Sequence, residues 1–202
     1  MEKQSFSPAN TTLVVVNTLI YLYMILTGDP SDLNYMYAHG AMVSDPEILN
    51  GEYWRMISCA FLHFDNAHIF NNMIMLLFLG VYVERAFGTL RYLLIYFFCA
   101  FSGSFVSYMA AMEGETLVIS GGASGAIFGI MGALLFVILY KKGRYEGLTV
   151  KRYLFMIVIS LYYGFATAGV DNLAHVGGFM AGFLAGFLLF PRGFKRARDE
   201  DN

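Results

Sequence analysis

Six apolar runs dominate the chain, at roughly residues 11–27, 66–83, 90–112, 124–140, 153–169 and 174–190. Each is about 17–23 residues long, close to the roughly 20 that cross a 30 Å hydrocarbon core. Backbone in lipid finds no water, so a spanning segment must satisfy its own N–H and C=O groups. The runs therefore predict an all-α membrane protein with six transmembrane helices. Composition agrees: 14% of residues are charged, against about 25% in a soluble domain. The first run follows Lys3 and has the look of a signal peptide, but "TGDPSD" comes next and no small-x-small cleavage site follows, so it reads as a retained span.

The 13 Lys and Arg residues set the threading. Lys3 precedes the first span. Arg85 and Arg91 separate spans two and three, and Lys141, Lys142, Arg144, Lys151 and Arg152 separate four and five. Arg192, Lys195, Arg196 and Arg198 follow span six, and only Arg55 falls in the other set of loops. Positive charge accumulates on the cytoplasmic side, which predicts two cytoplasmic termini. The opposite loops collect acids, among them Asp29, Asp45, Glu47, Glu115 and Asp171. The chain reads as a single membrane domain over 1–202, with its core at about 11–190. Residues 28–65 form an aromatic, amphipathic outer loop expected in the interface, and 191–202 a solvated cytoplasmic tail.

Even-numbered spans all start on the outer side, and that is where polar side chains gather. Span two opens with His68 and Asn72, span four with Ser124, span six with His175. His68 and Asn72 are one turn apart and share a helix face. Ser124 lies in "GGASGAIFGIMG", after Gly121 and Gly122 and before Gly125, Gly129 and Gly132. His175 precedes Gly178, Gly182 and Gly186 in a GxxxGxxxG series. Small faces let helix backbones approach closely in lipid, so packing spans four and six together would carry the hydroxyl to the imidazole. A serine becomes nucleophilic when a base takes its proton. The oxyanion formed on a carbonyl needs fixed donors, which Asn72, His68 and the Ser124 backbone N–H can supply.

Other readings compete at several residues. A small-xxx-small series serves packing alone in many membrane helices. Asp171 precedes His175 by four residues and could complete a triad, although a helix N-cap suits it better. His63 is five residues before His68, so it need not share its face, and is expected to make a structural hydrogen bond. Arg55 beside Trp54 reads as an interfacial, loop-shaping pair. HExxH is absent and the two cysteines, Cys59 and Cys99, have no metal spacing, so no metal or cofactor is expected. Lipid and transmembrane proteins are the expected partners, and nucleic acid is not.

At these residues the chain resembles the rhomboid intramembrane serine proteases. The matching elements are "YWR" at 53–55, "HIFNN", "GGASG" and "AHVGGFMAG", in order over roughly residues 50–190. The resemblance implies a rhomboid-type six-helix bundle with Ser124 as nucleophile and His175 as base of a dyad. It also implies an oxyanion hole lined by His68 and Asn72, and a first-loop signature at Trp54 and Arg55. It further implies no acidic third member, cleavage of transmembrane segments near helix ends, and a multi-pass bacterial plasma-membrane protein of the simple type. A non-catalytic scaffold or transporter that binds transmembrane helices is the alternative. A transporter would want paired broken helices near the midplane, and no internal repeat is evident.

Overall fold

A computed structural model describes residues 7–45, 49–113, 118–167 and 169–191. The tail after 191, with its four basic residues, and Lys3, Glu47 and Glu115 lie outside the described residues. Among the described residues eight α-helices follow one another: α1 Pro8–Thr27, α2 Leu33–Ala38, α3 Arg55–Ser58, α4 Asn66–Phe87, α5 Thr89–Glu113, α6 Ser124–Tyr140, α7 Val150–Ala166 and α8 Asn172–Leu189. Each apolar run therefore holds a helix. Four of them, α1, α4, α5 and α8, are long and apolar enough to cross a membrane. Helix α6 is apolar but has 17 residues, and α7, also of 17, carries Lys151 and Arg152 in its first turn.

Helix ends follow local chemistry. Pro8 opens α1, where a missing N–H costs nothing. Asp65 caps α4 by accepting from His68 N at 2.8 Å, and Asp171 caps α8 by accepting from Ala174 N at 3.0 Å. Gly88, with φ of +80°, turns the chain from α4 into α5.

Helix α6 is the centre of the bundle. Twelve of its seventeen residues are buried, as expected of a helix apolar on every side. Its contact with α8 runs backbone on backbone. A Cβ built on Gly178 would collide with the carbonyl of Gly125, and one on Gly182 with that of Gly129. One on Gly129 would stand 3.1 Å from Gly178 O and collide with Cys99 of α5. The small faces of spans four and six thus meet each other.

The segment 28–65 does more than lie along an interface. It packs small cores of its own, around Met36, Ala41 and Leu62 and around Met42, Val43, Leu49 and Met56. Strand β1 (Met42–Val43) pairs antiparallel with β2 (Ile119–Ser120) immediately upstream of α6. Arg55 holds this cap together from inside. Its guanidinium lies 4.1 Å from the Tyr37 ring centroid and 4.7 Å from that of Trp54, pairs with Glu52 at 2.7 Å, and donates to the carbonyls of Tyr37 and Ala41. At the opposite end of the bundle, Arg85 after span two pairs with Glu146 after span four at 3.2 Å. The hairpin of β3 (Arg144–Tyr145) and β4 (Leu148–Thr149) lies there.

Candidate active site

Ser124 is the first residue of α6 and is half-buried. The approach to it is fixed from three sides. Gly122 N donates to Cys59 O at 2.8 Å, Ala123 N donates to His63 Nε2 at 3.5 Å, and β1 holds β2. Ala123 offers the helix no side-chain cap, so the positive end of the α6 dipole is directed at the serine.

His175 enters from α8. It is buried, and its ring lies flat on Phe128, with centroids 4.2 Å apart and planes 13° from parallel. Phe128 is one turn after Ser124, on the same face of α6. The glycine contact sets the helix spacing, and the stack sets the ring plane. His175 Nδ1 has no hydrogen-bond partner among the described residues.

His68 and Asn72 arrive from α4 and converge on the turn before the serine. A Cβ on Gly122 would lie 2.7 Å from His68 Nε2 and 3.6 Å from Asn72 Nδ2. Gly122 has φ of +131°, so both the backbone conformation and the space demand glycine. Asn72 Nδ2 is buried and donates to no acceptor among the described residues. His68 stacks on Phe64, with planes 6° apart, and meets the edge of His63 at 5.0 Å. His63 is fully buried in the loop ahead of α4, and burial pushes its imidazole down to about 3. It is therefore neutral and able to accept from Ala123.

Behind Ser124 a cavity of about 20 Å³ is lined by Cys59, Ser104, Ser120 and Asp171 among others, enough for one water. Asp171 does not turn toward His175. One oxygen caps α8, and the other accepts from Ser107 Oγ of α5 at 2.6 Å. Cys59 and Cys99 are buried free thiols, and among the described residues no His, Cys, Asp or Glu cluster could hold a metal.

Sequence patterns had singled out Ser124, His175, His68 and Asn72, and the fold brings them to one end of α4, α6 and α8. Two neighbours were missed. Phe128 looks like any aromatic on an apolar helix, although its spacing from Ser124 was a signal. Asn172 carries no sequence signal for its contacts across to α7.

A multi-pass, α-helical membrane protein with a half-buried serine at a helix start, a histidine stacked on the phenylalanine one turn further along that helix, and a histidine and an asparagine against the glycine turn before the serine is the class defined by fold and site. The family model described as Rhomboid domain matches residues 50–192, and the chain belongs to the rhomboid family. It is similar to Rhomboid protease GluP of Bacillus subtilis (strain 168), with 34% identity over 88% of this chain and 34% of that protein. RHOMBOID-like protein 5 of Arabidopsis thaliana is 41% identical over 70% of this chain and 46% of its own length. Rhomboid protease AarA of Providencia stuartii is 30% identical over 83% and 67%. The chain spans about a third to a half of the length of the first two.

Proposed function

We propose that this chain is an intramembrane serine endopeptidase of six spans with both termini cytoplasmic, cleaving transmembrane segments with a Ser124–His175 dyad. The observation that carries the reading is the two-sided enclosure of Ser124. His175 is stacked one turn along its helix, and the His68 and Asn72 donors meet at Gly122.

The chemistry follows from that enclosure. His175 Nε2 takes the Ser124 proton as Oγ attacks the scissile carbonyl. The oxyanion is received by Asn72 Nδ2, His68 and the Ser124 backbone N–H. Protonated His175 then gives its proton to the leaving amine, and a water activated by the same imidazole releases the acyl group. A 17-residue helix is about 25 Å long, shorter than a hydrocarbon core of about 30 Å. Ser124 then starts below the outer boundary, and the water-sized cavity behind it supplies room for the hydrolytic water.

The Arg85–Glu146 pair supports the threading, because it puts the loops after spans two and four on one side. The test is labelling of the purified protein with a fluorophosphonate, together with cleavage of a model transmembrane substrate. Wild type labels and cleaves; Ser124→Ala does neither. Cleavage by purified Ser124→Ala would overturn the reading, and a folded wild type that neither labels nor cleaves would make the chain a non-catalytic scaffold.

A further inference from the structure

A base that takes a proton on Nε2 must carry its other proton on Nδ1, and it works best when that N–H has an acceptor fixing ring and tautomer. In this chain the obvious acceptor is already engaged: both Asp171 oxygens are held, by Ala174 N and by Ser107 Oγ. His175 Nδ1 is buried without a partner among the described residues.

A second buried, partnerless atom is close by, of the opposite hydrogen-bonding sense. It is Oδ1 of Asn172, three residues earlier and on the same face of α8. Both atoms stand against one point on α7. A Cβ built on Gly164 would lie 2.6 Å from Asn172 Oδ1 and 3.4 Å from His175 Nδ1. Gly164 has no side chain to separate them. The other end of the amide is anchored: Asn172 Nδ2 donates to the carbonyls of Gly164 at 3.2 Å and Val170 at 3.4 Å, which fixes Oδ1 as the free acceptor. A donor and an acceptor left buried and unpaired each carry a desolvation cost; a movement that joins them removes both costs.

We propose that Asn172 is the uncharged third member of the site, a positioning residue whose Oδ1 accepts from His175 Nδ1–H when the base engages Ser124, while its Nδ2 keeps hold of Gly164 on α7. The inference rests on the protease reading. No proton passes to the amide: the Ser124 proton goes to Nε2, and Nδ1–H stays on the ring, shared with Oδ1. An amide does this without adding a second charge to a buried site, where an unpaired carboxylate would be expensive. The titratable groups near enough for their charge to reach His175 are Asp171, turned away at the start of its own helix, and His68 from α4; α6 presents Phe128 and α7 presents Gly164.

The test uses the full chain in detergent or liposomes, with three readouts: kcat and KM on a transmembrane substrate, the rate of fluorophosphonate labelling, and thermal unfolding. Asn172→Ala is expected to lower kcat about 10- to 100-fold with KM little changed, and to slow labelling in parallel, since the small probe needs the base but no passage between helices. Asn172→Asp keeps an acceptor and loses the donor to α7, and is expected to recover most of the labelling rate. Gly164→Ala pushes a methyl onto Oδ1 and should repeat the Asn172→Ala loss with the amide still present, which covers the case in which Asn172→Ala fails to fold. Wild-type labelling and kcat in a folded Asn172→Ala or in Gly164→Ala would overturn the proposal. So would equal losses in the Asp and Ala variants with KM raised and labelling unchanged, which would make Asn172 only a tether for α7. Failure of the protease reading looks different, because wild type itself would then neither label nor cleave.

Discussion

His175 lies flat against Phe128, with ring centroids 4.2 Å apart and planes 13° from parallel. The two residues belong to different helices, α8 and α6, and the stack is what turns helix packing into a defined direction for the imidazole. Staggered glycines bring the backbones together but leave a ring free to rotate; an aromatic face does not. Aromatic stacking is worth about 0.5–1.5 kcal/mol beyond burial. Phe128→Leu keeps volume and loses the face, so kcat should fall about 2- to 10-fold, while Phe128→Tyr stays near wild type if its hydroxyl is accommodated. Steady-state cleavage by the two variants checks this. Equal rates for Phe128→Leu and wild type would show that the ring is held by something else.

On the other side of the serine, Asn72 carries the larger expected effect. Its Nδ2 is buried and donates to no acceptor among the described residues, and in the proposed mechanism it is a donor to the oxyanion. Removing one such donor typically costs about 100- to 1000-fold in turnover. Asn72→Ala and His68→Ala should lower kcat with little change in KM, measured on the same substrate. A pure rise in KM would make both residues recognition or packing groups.

Gly182 tests the α6–α8 contact. Its Cβ position collides with the Gly129 carbonyl, and that obstacle is backbone, which cannot swing aside. Gly182→Val should lower the unfolding temperature and the activity together, through separation of Ser124 from His175. A stable and fully active variant would contradict the packing drawn here.

Much of this was legible in the sequence, for physical reasons. Lipid forces helices of a set length, so six runs predicted six helices. Alternation of direction then placed Ser124, His175, His68 and Asn72 at one end. Glycine spacing predicted which faces meet, because only backbone contact needs so many glycines on two helices. Contacts made across the bundle by ordinary-looking residues were hidden. Glu84 stands just past the end of the second apolar run. In the structure it is buried and accepts from Ala9 N, Asn10 N and Thr89 Oγ1 at 2.9–3.1 Å, holding the start of α1. Asn172 was hidden likewise, since its partner is eight residues back on another helix. Pattern reports what one helix needs; it does not report which neighbour answers.

His63 gives stability a pH dependence. Burial, with His68 beside it, pushes its imidazole down to about 3, whereas an unfolded chain titrates near 6.5. Between these values the unfolded state binds a proton that the folded state does not. Stability contributed by a neutral His63 is therefore complete above about pH 6.5 and is lost as pH falls toward 3. His63→Gln removes one such titration. The difference in unfolding free energy between wild type and variant should change by about 1.4 kcal/mol per pH unit below pH 6. Thermal unfolding at a series of pH values from 7 to 4.5 reads this out, and parallel curves would mean that His63 is not held neutral.

The last prediction concerns α7. Three of its seventeen residues, Tyr153, Ile157 and Gly164, are buried, whereas Tyr162, Tyr163 and Phe165 are exposed by 73%, 59% and 69%. Tyr153 anchors its inner half by donating to Met131 O of α6 at 2.9 Å. Its outer half is held by Gly164 against Asn172, next to His175. A helix fastened at one end and lightly held at the other, beside the base, is suited to swing aside and admit a substrate helix. Exposed aromatics at that end meet lipid or a neighbouring helix, so trimming them lowers the work of opening. Tyr163→Ala or Phe165→Ala should speed cleavage of a transmembrane substrate severalfold while leaving fluorophosphonate labelling unchanged. A disulfide engineered between the outer ends of α4 and α7 should stop cleavage until reduced, and the buried thiols of Cys59 and Cys99 are poorly placed to compete for it. If the oxidised enzyme cleaves the same substrate as fast as the reduced one, α7 is not where the substrate enters.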